Sequence, residues 1–273
     1  MAVGSMSCVQ LGLALSAHLI GRLGPLAIVS VRLAWAGLIL LVLTRPRRQN
    51  FTRQDLVACA ALGVVTAGVS ILFMLAIARI PLGTASALEF LGPLAVSIFG
   101  PGGGRRHWAV LAAIGVLLLT QPWHGGINLG GLTFALASGA CWAAYILLTQ
   151  RVGDRVTGLN GLAVSMPVAA IVALPIAAGD LARVTWPLLL TLLALALLHP
   201  VLPFTLEFLS LRRLTASAFG TLMSLEPALG LLAGLLILGQ VPAPAATAGI
   251  FCVVIAGIGA TRNAGRGQSQ VPG

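Results

Sequence analysis

Long runs of Leu, Ala, Val and Ile, broken by short arginine-bearing stretches, fill almost the whole chain. A helix that crosses a membrane needs about 20 mostly apolar residues, and lipid admits only helices or closed barrels. Barrel strands would alternate apolar and polar positions, and these runs are continuous. The pattern predicts an all-α polytopic membrane protein with ten transmembrane helices. They are expected at 5–21, 25–44, 55–79, 82–100, 107–122, 128–150, 158–179, 186–210, 216–239 and 243–261. The first run starts almost at Met1 with no basic region ahead of it, so it reads as a span and not as a cleaved signal.

Composition sharpens this. Charged residues make up 8% of the chain and hydrophobic ones 58%, against about 25% charged in an ordinary soluble domain. The loops are too short to hold a soluble domain, so any chemistry belongs inside the helix bundle. The formal net charge of +10 would suggest nucleic acid in a soluble protein, but orientation accounts for it. With both termini in the cytoplasm, the inside loops carry Arg45, Arg47, Arg48, Arg53, Arg105, Arg106, Arg151, Arg155, Arg212, Arg213, Arg262 and Arg266. The outside loops carry Arg22, Arg79 and Arg183. That asymmetry is the positive-inside signature of an inner (plasma) membrane protein. The lipid bilayer is therefore the expected surrounding, and nucleic acid is not an expected partner. Cys8, Cys59, Cys141 and Cys252 are scattered without paired spacing and read as free thiols. No cofactor or metal is expected.

Five spans per half would place the second half upside down, the inverted repeat of many secondary transporters. The halves share a faint echo: Arg79-Ile80 … Leu91-Gly92-Pro93 superposes on Arg213-Leu214 … Leu225-Glu226-Pro227 at a constant offset. The boundaries expected are 1–124 for the first five-helix repeat, 125–262 for the second and 263–273 for a disordered cytoplasmic tail. Pro93 and Pro227 lack the N–H that would bond the carbonyls of Glu89 and Met223, which are equivalent positions. Pro200 and Pro203 free the carbonyls of Ala196 and His199 in the same way. A cavity can satisfy such groups where lipid cannot; simple kinks are the bland alternative.

Glu89, Glu207 and Glu226 stand inside apolar spans. A carboxylate at the centre of a span costs about 2.5–3.5 kcal/mol, so these groups should face the bundle, be paired, or be protonated. Small residues Ala85, Ser86, Gly92 and Pro93 share the face of Glu89, and polar stripes run through Ser138, Cys141, Trp142, Tyr145 and Thr149 and through His199, Pro203, Glu207 and Ser210. Ser7, Gln10, Ala14, Ala17 and His18 share a face of the first span. Such stripes suit a polar cavity or interhelical hydrogen bonding. Arg32 could snorkel outward, pair with a glutamate, or hold a substrate carboxylate, with pairing the leading reading. His18 and His199 could relay protons or serve in packing. Gly230-Leu231-Leu232-Ala233-Gly234 marks close packing, inside the chain or at a homodimer seam.

The stretch Pro81-Leu82-Gly83-Thr84-Ala85-Ser86-Ala87-Leu88-Glu89-Phe90-Leu91-Gly92-Pro93-Leu94-Ala95-Val96 resembles the bacterial threonine/homoserine exporters, a branch of the EamA-type drug/metabolite transporter superfamily. Further stretches agree at 139–147, 202–207 and 219–229, together with Arg32-Leu33-Ala34. The resemblance runs in order over almost the whole chain. It implies a ten-helix inner-membrane exporter of small amino acids, built as two inverted five-helix repeats. It also implies that Glu89, Glu207, Glu226, Trp142 and Tyr145 are cavity residues. The short N-terminus and the glycine-rich loop Gly100–Arg106 depart from the family's pattern without touching its motifs.

The expected function is a secondary transporter exporting small neutral amino acids such as threonine and homoserine, with proton antiport as a coupling mode. A zwitterion needs an anion for its ammonium and a cation or helix N-terminal amides for its carboxylate. Glu89 suits the first role and Arg32 the second, with His199 as a further candidate. Another metabolite or drug is the alternative cargo. An intramembrane enzyme would need a metal or nucleophile motif, and neither His-Glu-x-x-His nor Gly-x-Ser-x-Gly is present. A scaffold would have little use for buried carboxylates.

Overall fold

The computed structural model describes residues 2–47, 49, 51–99, 107–120, 128–156, 159–203, 206 and 223–268. Within them the regular structure is entirely helical. The helices are α1 (Ala2–Ala17), α2 (Ile20–Leu23), α3 (Pro25–Thr44), α4 (Arg53–Ile77), α5 (Leu82–Glu89), α6 (Leu91–Phe99) and α7 (His107–Thr120). There follow α8 (Leu129–Arg155), α9 (Asn160–Ile176), α10 (Ala178–Leu181) and α11 (Trp186–Ala196). After α11 the chain kinks at His199 (φ −160°, ψ 112°) within Leu197–Val201, the segment called the π turn below, and α12 (Glu226–Leu238) and α13 (Pro244–Gln268) close the chain. The last helix runs beyond the end expected for the last span, 261.

Among the described residues α3, α4 and the Leu129–Gly153 part of α8 are single apolar helices long enough to cross a bilayer. The other apolar helices have shorter described lengths. The expected span 82–100 is two helices meeting at Phe90, since Pro93 gives no N–H to Glu89. The span expected at 216–239 has its described part broken at Ser224–Leu225, just after the Met223 carbonyl that Pro227 leaves free. The loop Gly100–Arg106 lies outside the described residues.

The core lies between helices, and large apolar side chains also cover the outside: Leu43 is 71% exposed, Phe99 73% and Leu236 77%. An apolar exterior of this kind suits lipid and not water. Inside, small residues bring backbones together, as packing in membranes requires. A Cβ on Gly37 would lie 3.0 Å from Pro167 of α9. One on Gly115 would lie 2.8 Å from the Gly249 carbonyl, and one on Gly249 2.7 Å from that of Gly115, so α7 and α13 touch backbone to backbone. The Gly230–Gly234 pair packs inside the chain: Gly230 faces Ser86 of α5 and Gln10 of α1, and Gly234 faces Gln240 and Leu82.

Ends are capped where the chain turns. Thr52 and Asp55 form a reciprocal capping box at the start of α4. Asn128 accepts from the Gly131 N–H at 2.9 Å to start α8. The first N–H of α5, that of Leu82, donates to the Gln240 side chain at 2.9 Å, so the loop after α12 caps a helix in the other half of the sequence.

Candidate functional site

The breaks in α5–α6 and before α12, with the π turn after α11, surround a buried cavity of about 100 Å³. Side chains reach it from α1, α3, α4, α5, α8, α12 and the π turn. Its polar and ionisable lining includes Arg32, Glu89, Tyr145, His199 and Glu226. Trp142 completes an aromatic wall and meets the Phe90 ring edge to face at 6.4 Å.

Arg32 is 4% exposed on α3. Its Nε donates to the His199 carbonyl at 3.0 Å and Nη2 to the same oxygen at 2.7 Å. Nη1 donates to Ser16 Oγ at 2.9 Å, and Nη2 also meets His199 Nδ1. This corrects the glutamate-paired reading of Arg32: no glutamate among the described residues is within salt-bridge range of it. Nor does the buried guanidinium snorkel. The reason is the kink at His199, whose extended backbone (φ −160°, ψ 112°) turns its carbonyl out of the helix, together with the proline at 203. Pro203 cannot bond the His199 carbonyl, so a strong, unclaimed acceptor stands in apolar surroundings, and the guanidinium fork fits it. A guanidinium only donates, so His199 Nδ1 accepts and a neutral ring carries its proton on Nε2.

Helix α1 supports this cluster. Gly12 leaves room for His199, whose Cβ a side chain at position 12 would meet at 2.7 Å. Ser16 receives Arg32 and itself donates to the Gly12 carbonyl at 2.6 Å. Ser5 donates to the Pro203 carbonyl at 3.1 Å. His18 is exposed and bonds the Ala14 carbonyl of its own helix at 3.2 Å, outside the cavity.

Glu89 is 8% exposed at the end of α5. Ser138 of α8 donates to its Oε1 at 2.5 Å and stands 3.0 Å from the Val69 carbonyl of α4. The backbone of Glu89 presses against Gly139, where a Cβ would lie 2.7 Å from the Glu89 carbonyl oxygen. A Cβ on Gly92 would collide with the Gly139 carbonyl. Glu226 lies in the first turn of α12, where the positive end of a helix favours a carboxylate.

The structure thus brings Glu89, Arg32, Trp142, Tyr145, His199 and Glu226 to one cavity. Glu207 lies outside the described residues. Sequence reasoning missed Ser16 as an Arg32 partner and the cavity face of α4, including Thr66 and Ser70. Polar residues at 66 and 70, one helical turn apart in an apolar span, were the available signal. A second, wider cavity of about 310 Å³ lies between the ends of α5, α7, α8, α12 and α13, with Thr84, Thr120, Asn128 and Gln240 in its wall.

An all-helical apolar bundle with discontinuous helices around a buried ionisable cavity is the architecture of a membrane transporter. A solved crystal structure has the same fold, with a TM-score of 0.61 over 94% of each chain at 17% identity. The model of the EamA-like transporter family matches residues 129–261. The threonine/homoserine exporter RhtA of Salmonella typhimurium strain SL1344 is 38% identical over 266 residues, covering 94% of this chain and 88% of that protein. The threonine/homoserine exporter RhtA of Escherichia coli strain K12 is 36% identical over 265 residues, with the same coverage. The chain belongs to the EamA-like transporter family; it is a membrane transport protein and not an enzyme.

Proposed function

We propose that this chain is an inner-membrane secondary transporter exporting small neutral amino acids such as threonine and homoserine. The observation that carries the reading is the single buried cavity holding Glu89, Glu226 and Arg32. A zwitterion offers both charges at once, and this lining meets both. Arg32 keeps its fork on His199, so the substrate carboxylate takes the one guanidinium N–H that remains, on Nη1, and Glu89 takes the ammonium. Trp142 and Tyr145 close the apolar side. The names of the relatives at 36–38% identity supply the substrate class.

Ten spans fit the helices if α1 and α2 form one crossing, α5 and α6 another, α9 and α10 a third, and α11 with the π turn a fourth. The two halves are inverted repeats in this reading. The constant offset places Phe90 on Ser224, and both helix breaks fall there. Gly257 of α13 touches both: a Cβ on it would lie 2.6 Å from Ser224 Oγ and 2.7 Å from the Phe90 ring. Segments 1–124 and 125–262 are the repeats, and the arginine asymmetry puts both termini in the cytoplasm.

Efflux of preloaded labelled threonine and homoserine from exporter-deficient cells tests the substrate. Release faster than from vector cells, at verified membrane expression, is expected. Release no faster than vector would remove these substrates and leave another small metabolite as cargo.

A further inference from the structure

Ser138 has one hydroxyl proton and two acceptors in reach, Glu89 Oε1 at 2.5 Å and the Val69 carbonyl at 3.0 Å. It cannot donate well to both. The arrangement resolves in two ways. An ionised Glu89 takes the hydroxyl proton, and the Ser138–Val69 bond is given up. A neutral Glu89 donates its own proton to Ser138 Oγ, and Ser138 donates onward to Val69. A hydroxyl serves equally as donor and acceptor, so the second arrangement leaves every hydrogen atom bonded. Ser138 is fully buried.

The surroundings favour the neutral arrangement when the cavity holds no substrate. Glu89 ends α5, the carbonyl end of a helix, where an anion is disfavoured. Arg32 is committed to His199 and Ser16 and lies beyond ion-pair range. Among the described residues the other titratable side chains in the wall are Glu226 of α12, His199 of the π turn and Tyr145 of α8; Cys141 of α8 faces α4 at Gly68. The lining from α1 and α4 contributes no titratable group.

We infer that Ser138 is the positioning residue that couples the charge of Glu89 to helix α4, switching its hydroxyl between the Val69 carbonyl and the Glu89 carboxylate as substrate replaces a proton. This rests on the export reading for the identity of the substrate, and on geometry alone for the switch. When an ammonium enters, the Glu89 proton leaves to the water on the open side of the cavity. The carboxylate then holds the ammonium and the Ser138 hydroxyl together, and α4 loses its bond to α8 at Val69. On release of the substrate, a proton from the opposite side returns to Glu89 and the Ser138–Val69 bond reforms. One proton moves one way for each ammonium moved the other.

Infrared difference spectroscopy of the purified full chain, titrated with acid and base, reads the switch without reference to any substrate. A neutral-carboxyl C=O band that Glu89→Gln removes marks Glu89. The band is expected to shift to higher frequency in Ser138→Ala, which removes the acceptor of the acid proton, and to stay in place in Ser138→Thr, which keeps the hydroxyl. A band unmoved by Ser138→Ala, or no neutral Glu89 band at any pH, would overturn the proposal. Efflux supplies the functional arm. Ser138→Ala should displace the pH profile of threonine efflux. An equal loss at every pH, with the profile itself unmoved, would make Ser138 a packing residue only. If Ser138→Ala fails to reach the membrane, Ser138→Cys, a weak donor of similar size, takes its place in both arms. If the infrared switch is present and threonine efflux is absent in the unmodified chain, the substrate assignment fails and the switch stands.

Discussion

Arg32 on α3 clamps the backbone carbonyl of His199 through two guanidinium nitrogens, at 2.7 and 3.0 Å. The two residues are far apart in sequence, and the carbonyl is available because His199 leaves the helical path (φ −160°, ψ 112°) and position 203, being proline, offers it no N–H. The cluster therefore joins the first half of the chain to the broken helix that follows α11. Removing the guanidinium strands a buried acceptor, which costs about 1–3 kcal/mol. Arg32→Ala should lower the thermal unfolding midpoint of the detergent-purified protein. Arg32→Lys should recover only part of the loss, because an ammonium cannot fork to the carbonyl and Ser16 together. An Arg32→Ala protein as stable as the parent would show that the carbonyl finds another partner.

The contact between α6 and α8 leaves no room for a side chain at position 92. Gly92→Ala should cost about 1–3 kcal/mol by overpacking and push α5–α6 away from Glu89's seat on Gly139. Gly153→Ala, on the same α8 but with nothing within 4 Å, is the matched control. It should be neutral or stabilise by about 0.5–1 kcal/mol, since alanine is the better helix former. Unfolding curves for the two variants check the contrast, and equal midpoints would contradict the close approach.

Gln240 reaches across the outer cavity to cap α5. Gln240→Ala should weaken that end by about 0.5–1.5 kcal/mol, the net worth of one hydrogen bond. Hydrogen–deuterium exchange is the direct check. The Leu82 amide should exchange faster in the variant, while amides in the middle of α4 should not change. Unaltered exchange at Leu82 would mean that water or another group caps the helix equally well.

Much of the framework is readable from sequence because its causes are local. Proline removes a donor at a fixed distance along the chain, so breaks near Phe90 and Ser224 follow from Pro93 and Pro227. Carboxylates are expensive in lipid, so Glu89 and Glu226 turn inward. The partner of Arg32 was not readable, since charge alone suggested a glutamate. Which acceptor a buried guanidinium finds depends on how α3 meets the π turn, a tertiary relation that the residue pattern does not encode. Ser138 lay on a recognised polar stripe, yet its role needed the crossing of α4, α5 and α8 to place Val69 and Glu89 on either side of one hydroxyl. Glu207 matches the same family motif and lies outside the described residues.

The central claim is that Glu89 receives the ammonium of the exported amino acid. Counterflow of labelled threonine in proteoliposomes containing the purified chain tests it most directly, comparing the parent with Glu89→Gln at equal protein content. Glu89→Gln keeps the shape and removes the charge. Robust counterflow is expected in the parent and its abolition in the variant, with unfolding midpoints close to each other. Undiminished counterflow in Glu89→Gln would contradict it and move the ammonium site to another carboxylate of the cavity.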